Sequence, residues 1–300
     1  MKIGIDARLY GPKHTGIGRY TQNLLRQLIN LDEENQYVIF GDPELLQPDF
    51  DSSQVKIVPL KTGIYSFSEQ VVNLFKFNKE KLDLLHVPHF NAPIFYNRPV
   101  VITLHDLIKH FSTGVKTSTL PAWQYQIKHL GYKLVLNQNL KKAAAIITPS
   151  HYWKNYLINN MSLDPQKIHV TYEAVTSDFK IPQEVDKKIL SKYKLQKPFI
   201  IYTGNLYPHK NVDFLVKAVK QYNKNHHNKV TLALISARDA FHDKFSTTKH
   251  IKPLGYVPDD DLVQLYSQAL ALVQPSLLEG FGLTGLEAMK FGLPVLSSSA

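Results

Sequence analysis

Pro275-Ser276-Leu277-Leu278-Glu279-Gly280-Phe281-Gly282-Leu283-Thr284-Gly285-Leu286-Glu287-Ala288-Met289-Lys290-Phe291-Gly292-Leu293-Pro294 is the stretch whose reading decides the fold. A strand-like apolar run, Ala271 to Val273, feeds into it. Its glycines then make a turn, and a segment of good helix formers follows until Gly292 and Pro294 stop it. Backbone amides at such a helix start have no partner inside the helix and carry partial positive charge, so they favour an anion. Glycine lets a phosphate or a sugar come close to the backbone. Two carboxylates bracket the turn, Glu279 before the helix and Glu287 inside it. Amide donors for phosphate and carboxylates for hydroxyls together suit a sugar nucleotide.

Outward from this stretch, strand and helix alternate along the whole chain. Lys2–Asp6 reads as a strand, followed by a Gly-rich loop and a helix over Tyr20–Leu31. Apolar runs recur at Tyr37–Phe40, Val55–Pro59, Leu84–Val87, Val100–Leu104 and Ala145–Thr148, with helical stretches at Ala122–Lys142 and His151–Asn159. A polar, charged segment over 177–197, with Pro182 inside it and Pro198 just after, interrupts the pattern and reads as a connection. A second series then runs through strand Phe199–Thr203, helix Val212–Tyr222, strand Val230–Ile235, helix Asp259–Ser267 and strand Ala271–Gln274. The fold class is α/β, with parallel sheets covered on both faces. Residues 1–176 form one Rossmann-like domain and 198–300 a second. Pro294–Ser297 begins one more strand shortly before Ala300, where a doubly wound domain seldom ends, so the second domain reads as truncated.

The chain has 300 residues, 44% hydrophobic and 20% charged, which describes a globular protein of two ordinary α/β domains. It has no cysteine, which excludes disulfides and thiolate metal sites and is compatible with a reducing cytoplasm. Met1-Lys2 runs into Ile3-Gly4-Ile5-Asp6 without an apolar signal core, and no run approaches a membrane span. The net charge of +10 is spread evenly along the chain. No recognised nucleic-acid module accompanies it, so nucleic acid is not expected as a partner. A basic face for anionic lipid or phosphorylated acceptors remains, so the expected location is cytoplasmic with room for peripheral contact at the inner face of the plasma membrane.

The frame E-G-F-G-L-x-x-L-E-A-M, with Glu279 and Glu287 eight apart, resembles the Glu-x7-Glu signature of retaining glycosyltransferases of family 4, which have the two-domain GT-B fold. Gly4-Ile5-Asp6-Ala7-Arg8 with Thr15-Gly16-Ile17-Gly18-Arg19-Tyr20 is similar to the opening of that family, in particular of bacterial O-antigen and exopolysaccharide mannosyltransferases. His86-Val87-Pro88-His89-Phe90-Asn91, Thr103-Leu104-His105-Asp106-Leu107 and Ile146-Ile147-Thr148-Pro149-Ser150 resemble the same group. The resemblance implies two Rossmann-like domains facing across a cleft. It implies transfer of a hexose, mannose favoured, from a nucleotide-sugar donor to a glycan or lipid-linked acceptor with retention of configuration. GDP-mannose is the favoured donor, with UDP-hexoses behind it.

It also implies roles for residues. Glu279 faces the donor sugar, where a carboxylate stabilises positive charge at the anomeric carbon. Glu287 accepts hydrogen bonds from the ribose hydroxyls, as acidic residues do in dinucleotide folds. Phe281, Gly282, Leu283 and Thr284 act through backbone amides, with Thr284 able to add its hydroxyl. Lys210, in Tyr202-Thr203-Gly204-Asn205-Leu206-Tyr207-Pro208-His209-Lys210-Asn211, neutralises the diphosphate. Many relatives carry Arg where Asn205 stands, which leaves the leaving group more dependent on Lys210, with His209 placed to compensate. His105 follows a strand end beside the donor sugar, and Gly16 lies in the loop that approaches the donor. His86 and His89 are weaker candidates, and Arg19 suits either phosphate contact or the helix start.

Asp259-Asp260-Asp261 opens a helix after Pro258, where acids favour the helix dipole, so no metal site and no cofactor is expected. Three alternatives stand beside transfer. Gly280-Phe281-Gly282-Leu283-Thr284-Gly285 matches the G-x-G-x-x-G of nicotinamide oxidoreductases, but it follows a late strand and leaves Glu279 unexplained. A nucleotide-sugar epimerase or hydrolase could use the same fold. A truncated or inactive nucleotide-sugar-binding protein is the non-enzyme alternative, resting on the end at Ala300 and on Asn205.

Overall fold

The structure is a computed structural model and describes residues 1–11, 15–111, 121–175, 179–236 and 245–299. Two compact units share the chain. The first runs from Met1 to Glu173 except for a short stretch beginning at Ile108, which belongs with the second, Ala174 onward.

Seven strands make the first sheet: β1 (Lys2–Asp6), β2 (Gln36–Gly41), β3 (Val55–Pro59), β4 (Leu84–Val87), β5 (Val100–Thr103), β6 (Ala145–Thr148) and β7 (Ile168–Val170). Their order is β3-β2-β1-β4-β5-β6-β7, and every neighbouring pair is parallel. Helices α1 (Thr15–Leu31), α2 (Pro43–Leu46), α3 (Phe67–Lys79), α5 (Ala122–Lys142) and α6 (His151–Met161) connect them, and α4 (Ile108–Phe111) lies in the short stretch that belongs with the second unit. Parallel strands are covered on both faces, which is why β2 is buried at every residue after Gln36. Ser66 caps α3 by accepting from the Glu69 amide at 3.2 Å, and Ser150 caps α6 through the Trp153 amide at 3.3 Å. That second cap sets the fully buried Trp153 against the sheet.

Helix α1 begins at Thr15, five residues before the expected Tyr20, so Gly16 and Gly18 lie in its first turns and not in a loop. The reason is packing. Gly18, Thr21 and Leu25 fall on one buried helical face, and that burial outweighs the weak helix propensity of glycine. Residues 12–14 of the expected loop lie outside the described residues.

The second sheet has β8 (Phe199–Thr203), β9 (Thr231–Ile235), β10 (Ile251–Gly255), β11 (Leu272–Gln274) and β12 (Val295–Ser297), in the order β10-β9-β8-β11-β12, again all parallel. Helices α7 (Lys188–Lys192), α8 (Val212–Asn225), α9 (Asp259–Tyr266) and α10 (Leu283–Lys290) pack around it. The 177–197 segment begins outside the described residues, but Phe179, Ile189 and Leu195 from it are buried in this unit's core beside Phe199 and Leu272.

Each sheet grows in one direction from its first strand and then reverses, between β1 and β4 in the first and between β8 and β11 in the second. Loops leaving the carboxyl ends of two such strands diverge to opposite faces, and the crevice between them is where α/β sheets bind ligands.

Candidate functional site

In the second unit both loops at the reversal carry residues singled out by sequence. Strand β8 ends at Thr203 and leads through Gly204 to a short 3-10 turn, Pro208–Lys210, and then into α8 at Asn211. Strand β11 ends at Gln274 and leads through Ser276 and Glu279 to Gly282, whose φ of 89° starts α10. A backbone bond, Leu277 N–H to His209 carbonyl at 2.8 Å, ties one loop to the other.

That tie places Lys210 on Glu279. The ammonium nitrogen lies 2.8 and 2.7 Å from the two carboxylate oxygens. The two side chains are 17% and 16% exposed, so the pair is shielded yet reachable. Glu279 Oε1 also accepts from Ser276 Oγ at 2.5 Å and from Gln274 Nε2 at 3.3 Å. The same Gln274 amide reaches Thr284 Oγ1 at 3.4 Å. Charged hydrogen bonds of this kind fix a carboxylate's direction as well as its charge.

Glycine is required here at two positions for different reasons. Gly282 takes a positive φ that side-chain-bearing residues resist. At Gly285 an added Cβ would lie 3.0 Å from Gln274 Oε1, so its lack of a side chain lets that amide rest on the helix start.

The two loops carry the charged side chains of Lys210 and Glu279. Burial, reinforced by the Lys210 charge, lowers the His209 pKa to about 4, against a smaller opposing pull from Glu279. His209 is therefore neutral near pH 7 in this structure. Burial and then Glu279 raise the Tyr202 phenol, whose hydroxyl donates to the Asn205 carbonyl at 2.5 Å. The Asn205 side chain turns onto its own loop, accepting from the Tyr207 amide at 3.4 Å.

The second unit thus brings together Asn205, Lys210, Glu279, Phe281, Gly282, Leu283, Thr284 and Glu287. The last is half-buried in the second turn of α10. Gly16 and His105 belong to the first unit. Gly16 is exposed in the first turn of α1, with nothing within 4 Å of an added Cβ. His105 follows β5, with Nδ1 2.9 Å from Glu173 Oε1 and Nε2 3.1 Å from the Pro88 carbonyl. Its ring meets Tyr20 edge-on at 4.6 Å. His86 is buried behind it on Thr103 Oγ1 at 2.9 Å. Asp261 of the acidic triplet pairs with Lys192 and Tyr193, each at 2.5 Å.

Sequence reasoning passed over Gln274 and Ser276, and over a buried cluster at the first sheet's reversal. There Arg8 bonds Asp6 at 2.6–3.1 Å and Glu69 at 2.6 Å, and Asn91 also donates to Glu69. Burial works to lower the Arg8 pKa, but Asp6 and Glu69 together push it up. Burial also raises Glu69, against the pull of Arg8. The available signal was a polar residue at the carboxyl end of an apolar parallel strand, as at Asp6 and Gln274.

The chain is similar to known proteins in sequence and in fold. Relatives include the O-antigen chain mannosyltransferase B of Escherichia coli, 27% identical over 95% of this chain and 79% of its own length. The O-antigen chain mannosyltransferase RfbU of Salmonella typhimurium is 25% identical over 96% of this chain and 79% of its own. Among solved structures, Anabaena Alr3699/HepE in complex with UDP-glucose superposes with a TM-score of 0.72 at 18% identity, covering 100% of this chain and 81% of that one. Sucrose-phosphate synthase from Thermosynechococcus elongatus gives 0.70 at 19% identity, covering 100% and 82%. These neighbours have the GT-B fold, and the two doubly wound sheets here are of that class. The family description "Glycosyl transferases group 1" matches residues 183–300, and "Glycosyltransferase Family 4" matches residues 14–179. With that second match spanning more than half of its length, the chain belongs to glycosyltransferase family 4.

Proposed function

We propose that this chain transfers a hexosyl group, mannose in first place, from a nucleoside-diphosphate donor to a glycan or lipid-linked acceptor, with retention at the anomeric carbon and without a divalent metal. The observation that carries the reading is the Lys210–Glu279 pair beside the start of α10, at the reversal of the second sheet. Transfer breaks the bond between the anomeric carbon and the diphosphate oxygen and forms one to the acceptor oxygen. The acceptor proton leaves with the nucleoside diphosphate. Negative charge grows on the diphosphate and positive charge on the sugar.

A lysine ammonium has three donors. Glu279 takes two, and the third suits a diphosphate oxygen, with the amides of Phe281 to Thr284 as further donors. Glu279, held by Lys210 and Ser276, is the negative group available to the sugar as positive charge develops. Glu287 serves the ribose. Mannose is favoured because relatives over nearly the whole chain are named O-antigen mannosyltransferases. UDP-hexoses are the second donor class, since a solved relative by fold holds UDP-glucose.

The test is transfer from a panel of GDP- and UDP-sugars to a glycan primer, with the new linkage assigned by NMR. Retained configuration with GDP-mannose as best donor is expected. Hydrolysis without transfer, an inverted product, or no turnover with any donor would overturn the reading.

A further inference from the structure

Two kinds of donor meet the Glu279 carboxylate. Lys210 is charged and reaches both oxygens, at 2.8 and 2.7 Å. Ser276 and Gln274 are neutral and converge on Oε1, the first at 2.5 Å and the second at 3.3 Å. An ionised carboxylate only accepts, so the Ser276 hydroxyl is the donor in its contact. That contact has the length of a charge-assisted O–H···O bond, roughly twice as strong as a neutral pair. The Gln274 contact is long and correspondingly weaker.

Ser276 is itself anchored. It is 1% exposed and lies three residues before Glu279 in the loop that leaves β11. Its carbonyl accepts from the Ser298 hydroxyl, and the Ser298 amide donates to the Gln274 carbonyl at 3.1 Å. Ser298 directly follows β12, the neighbour of β11 in the sheet. Pro275 stands between the two tied carbonyls, and its ring fixes its φ. The hydroxyl that meets Glu279 is therefore buried and carried on backbone held from the next strand.

This division of donors matters once a diphosphate is present. Lys210 then has a second anion to serve, and each of its three donors turned to a phosphate oxygen is one fewer for Glu279. The neutral donors keep their hold. They also fix the carboxylate without cancelling its charge, which a second cation in their place would do. A group that faces developing positive charge needs both a set direction and its full negative charge.

We propose that Ser276 is the positioning residue of this site, holding the Glu279 carboxylate for the sugar while Lys210 turns to the diphosphate. Ser276 acts through Glu279 and touches no substrate atom. The inference rests on the reading of the Lys210–Glu279 pair as part of a donor site.

Two experiments test it, and they fail separately. The first needs no donor. Crystal structures of Lys210→Met and of Lys210→Met/Ser276→Ala should differ at one group: the Glu279 carboxylate keeps its place in the first and leaves it in the second. A carboxylate unmoved in the double variant, or already displaced in Lys210→Met, would overturn the proposal whatever the chain transfers. The second is steady-state transfer with calorimetry. Ser276→Ala should lower kcat about 10-fold or more, with donor KM and the affinity for GDP or UDP within about 2-fold of wild type. In a Glu279→Ala background the same substitution should cost at most about 2-fold more, because its effect runs through Glu279. An equal loss of kcat in both backgrounds would mark Ser276 as merely structural and overturn the proposal. Wild-type protein that transfers from no donor would refute the proposed function, and the first experiment would still decide whether Ser276 holds the carboxylate.

Discussion

Replacing Glu279 by Gln keeps the shape of the site and removes one negative charge, and the structure says what should follow. In the free protein the carboxylate and Lys210 neutralise each other at 2.7–2.8 Å. A bound diphosphate would share the same ammonium, whose donors diverge tetrahedrally, which sets its nearest oxygens roughly 5 Å from the carboxylate. Two unit charges at that separation repel by about 3 kcal/mol at an effective dielectric of 20, and by about 1 kcal/mol in bulk water. The pair is 16–17% exposed, so the repulsion lies between those limits. Glu279→Gln should then bind GDP or UDP about 10-fold more tightly, since about 1.4 kcal/mol is one decade. Turnover should fall by about 100-fold or more, because the group facing the developing positive charge has been neutralised. Opposite signs for product affinity and turnover distinguish this from a damaged loop, which would weaken both. Titration calorimetry with the nucleoside diphosphate and steady-state transfer kinetics measure the two quantities. Nucleotide affinity unchanged or weaker, together with turnover near wild type, would refute the placement of Glu279 between Lys210 and the sugar.

Glu287→Gln should raise the donor KM while leaving kcat within about 2-fold, because a ribose contact is made equally in ground and transition states; a loss confined to kcat in the same kinetics would contradict it. Transfer should survive EDTA, Lys210 and the α10 amides serving in place of a cation; loss of activity restored by magnesium or manganese would count against this. Burial, with the nearby His105, lowers the His86 pKa from 6.5 to about 4. Between those values the unfolded chain binds more protons than the native one, so stability should fall as pH drops, by roughly 3 kcal/mol from this group. Urea unfolding at pH 7 and pH 4.5 should show a shallower acid loss in His86→Gln, and a variant with the wild-type slope would show that the native histidine charges freely.

Strands in the middle of each sheet were legible because both of their faces are buried and their residues are mostly apolar. Lys2–Asp6, Leu84–Val87 and Phe199–Thr203 have the same bounds in sequence and structure. The strands missed were β7 and β10, each at the edge of its sheet. An edge tolerates His169 in the first and Lys252 and Pro253 in the second, and those residues erase the apolar run. The early start of α1 was hidden by Gly16 and Gly18, since local propensity says loop where the packing of Gly18, Thr21 and Leu25 says helix. Glu279 and Lys210 were each visible in a local motif. Their contact was not, because they stand 69 residues apart and meet only through the adjacency of β8 and β11. Gln274 was hidden for a similar reason: its value lies in reaching Glu279 and Thr284 together across a turn.

The same topology offers two crevices, one per sheet, and the side chains make them unlike. At the first, Arg8 faces Asp6 and Glu69 with all three side chains at most 5% exposed. Its guanidinium donors go to Asp6, to Glu69 and, at 3.1 Å, to Thr62 Oγ1. A diphosphate arriving there would have to displace a buried carboxylate from its partner, and an ion left buried and unpaired costs several kcal/mol. At the second crevice one cation meets one carboxylate, both within reach of solvent, and a helix start adds partial positive charge. An anion there can share the Lys210 ammonium with Glu279. Fold alone therefore does not choose between the crevices. The charge balance at each one does, and it is the reason for placing the nucleotide on Lys210 rather than on the more strongly hydrogen-bonding Arg8.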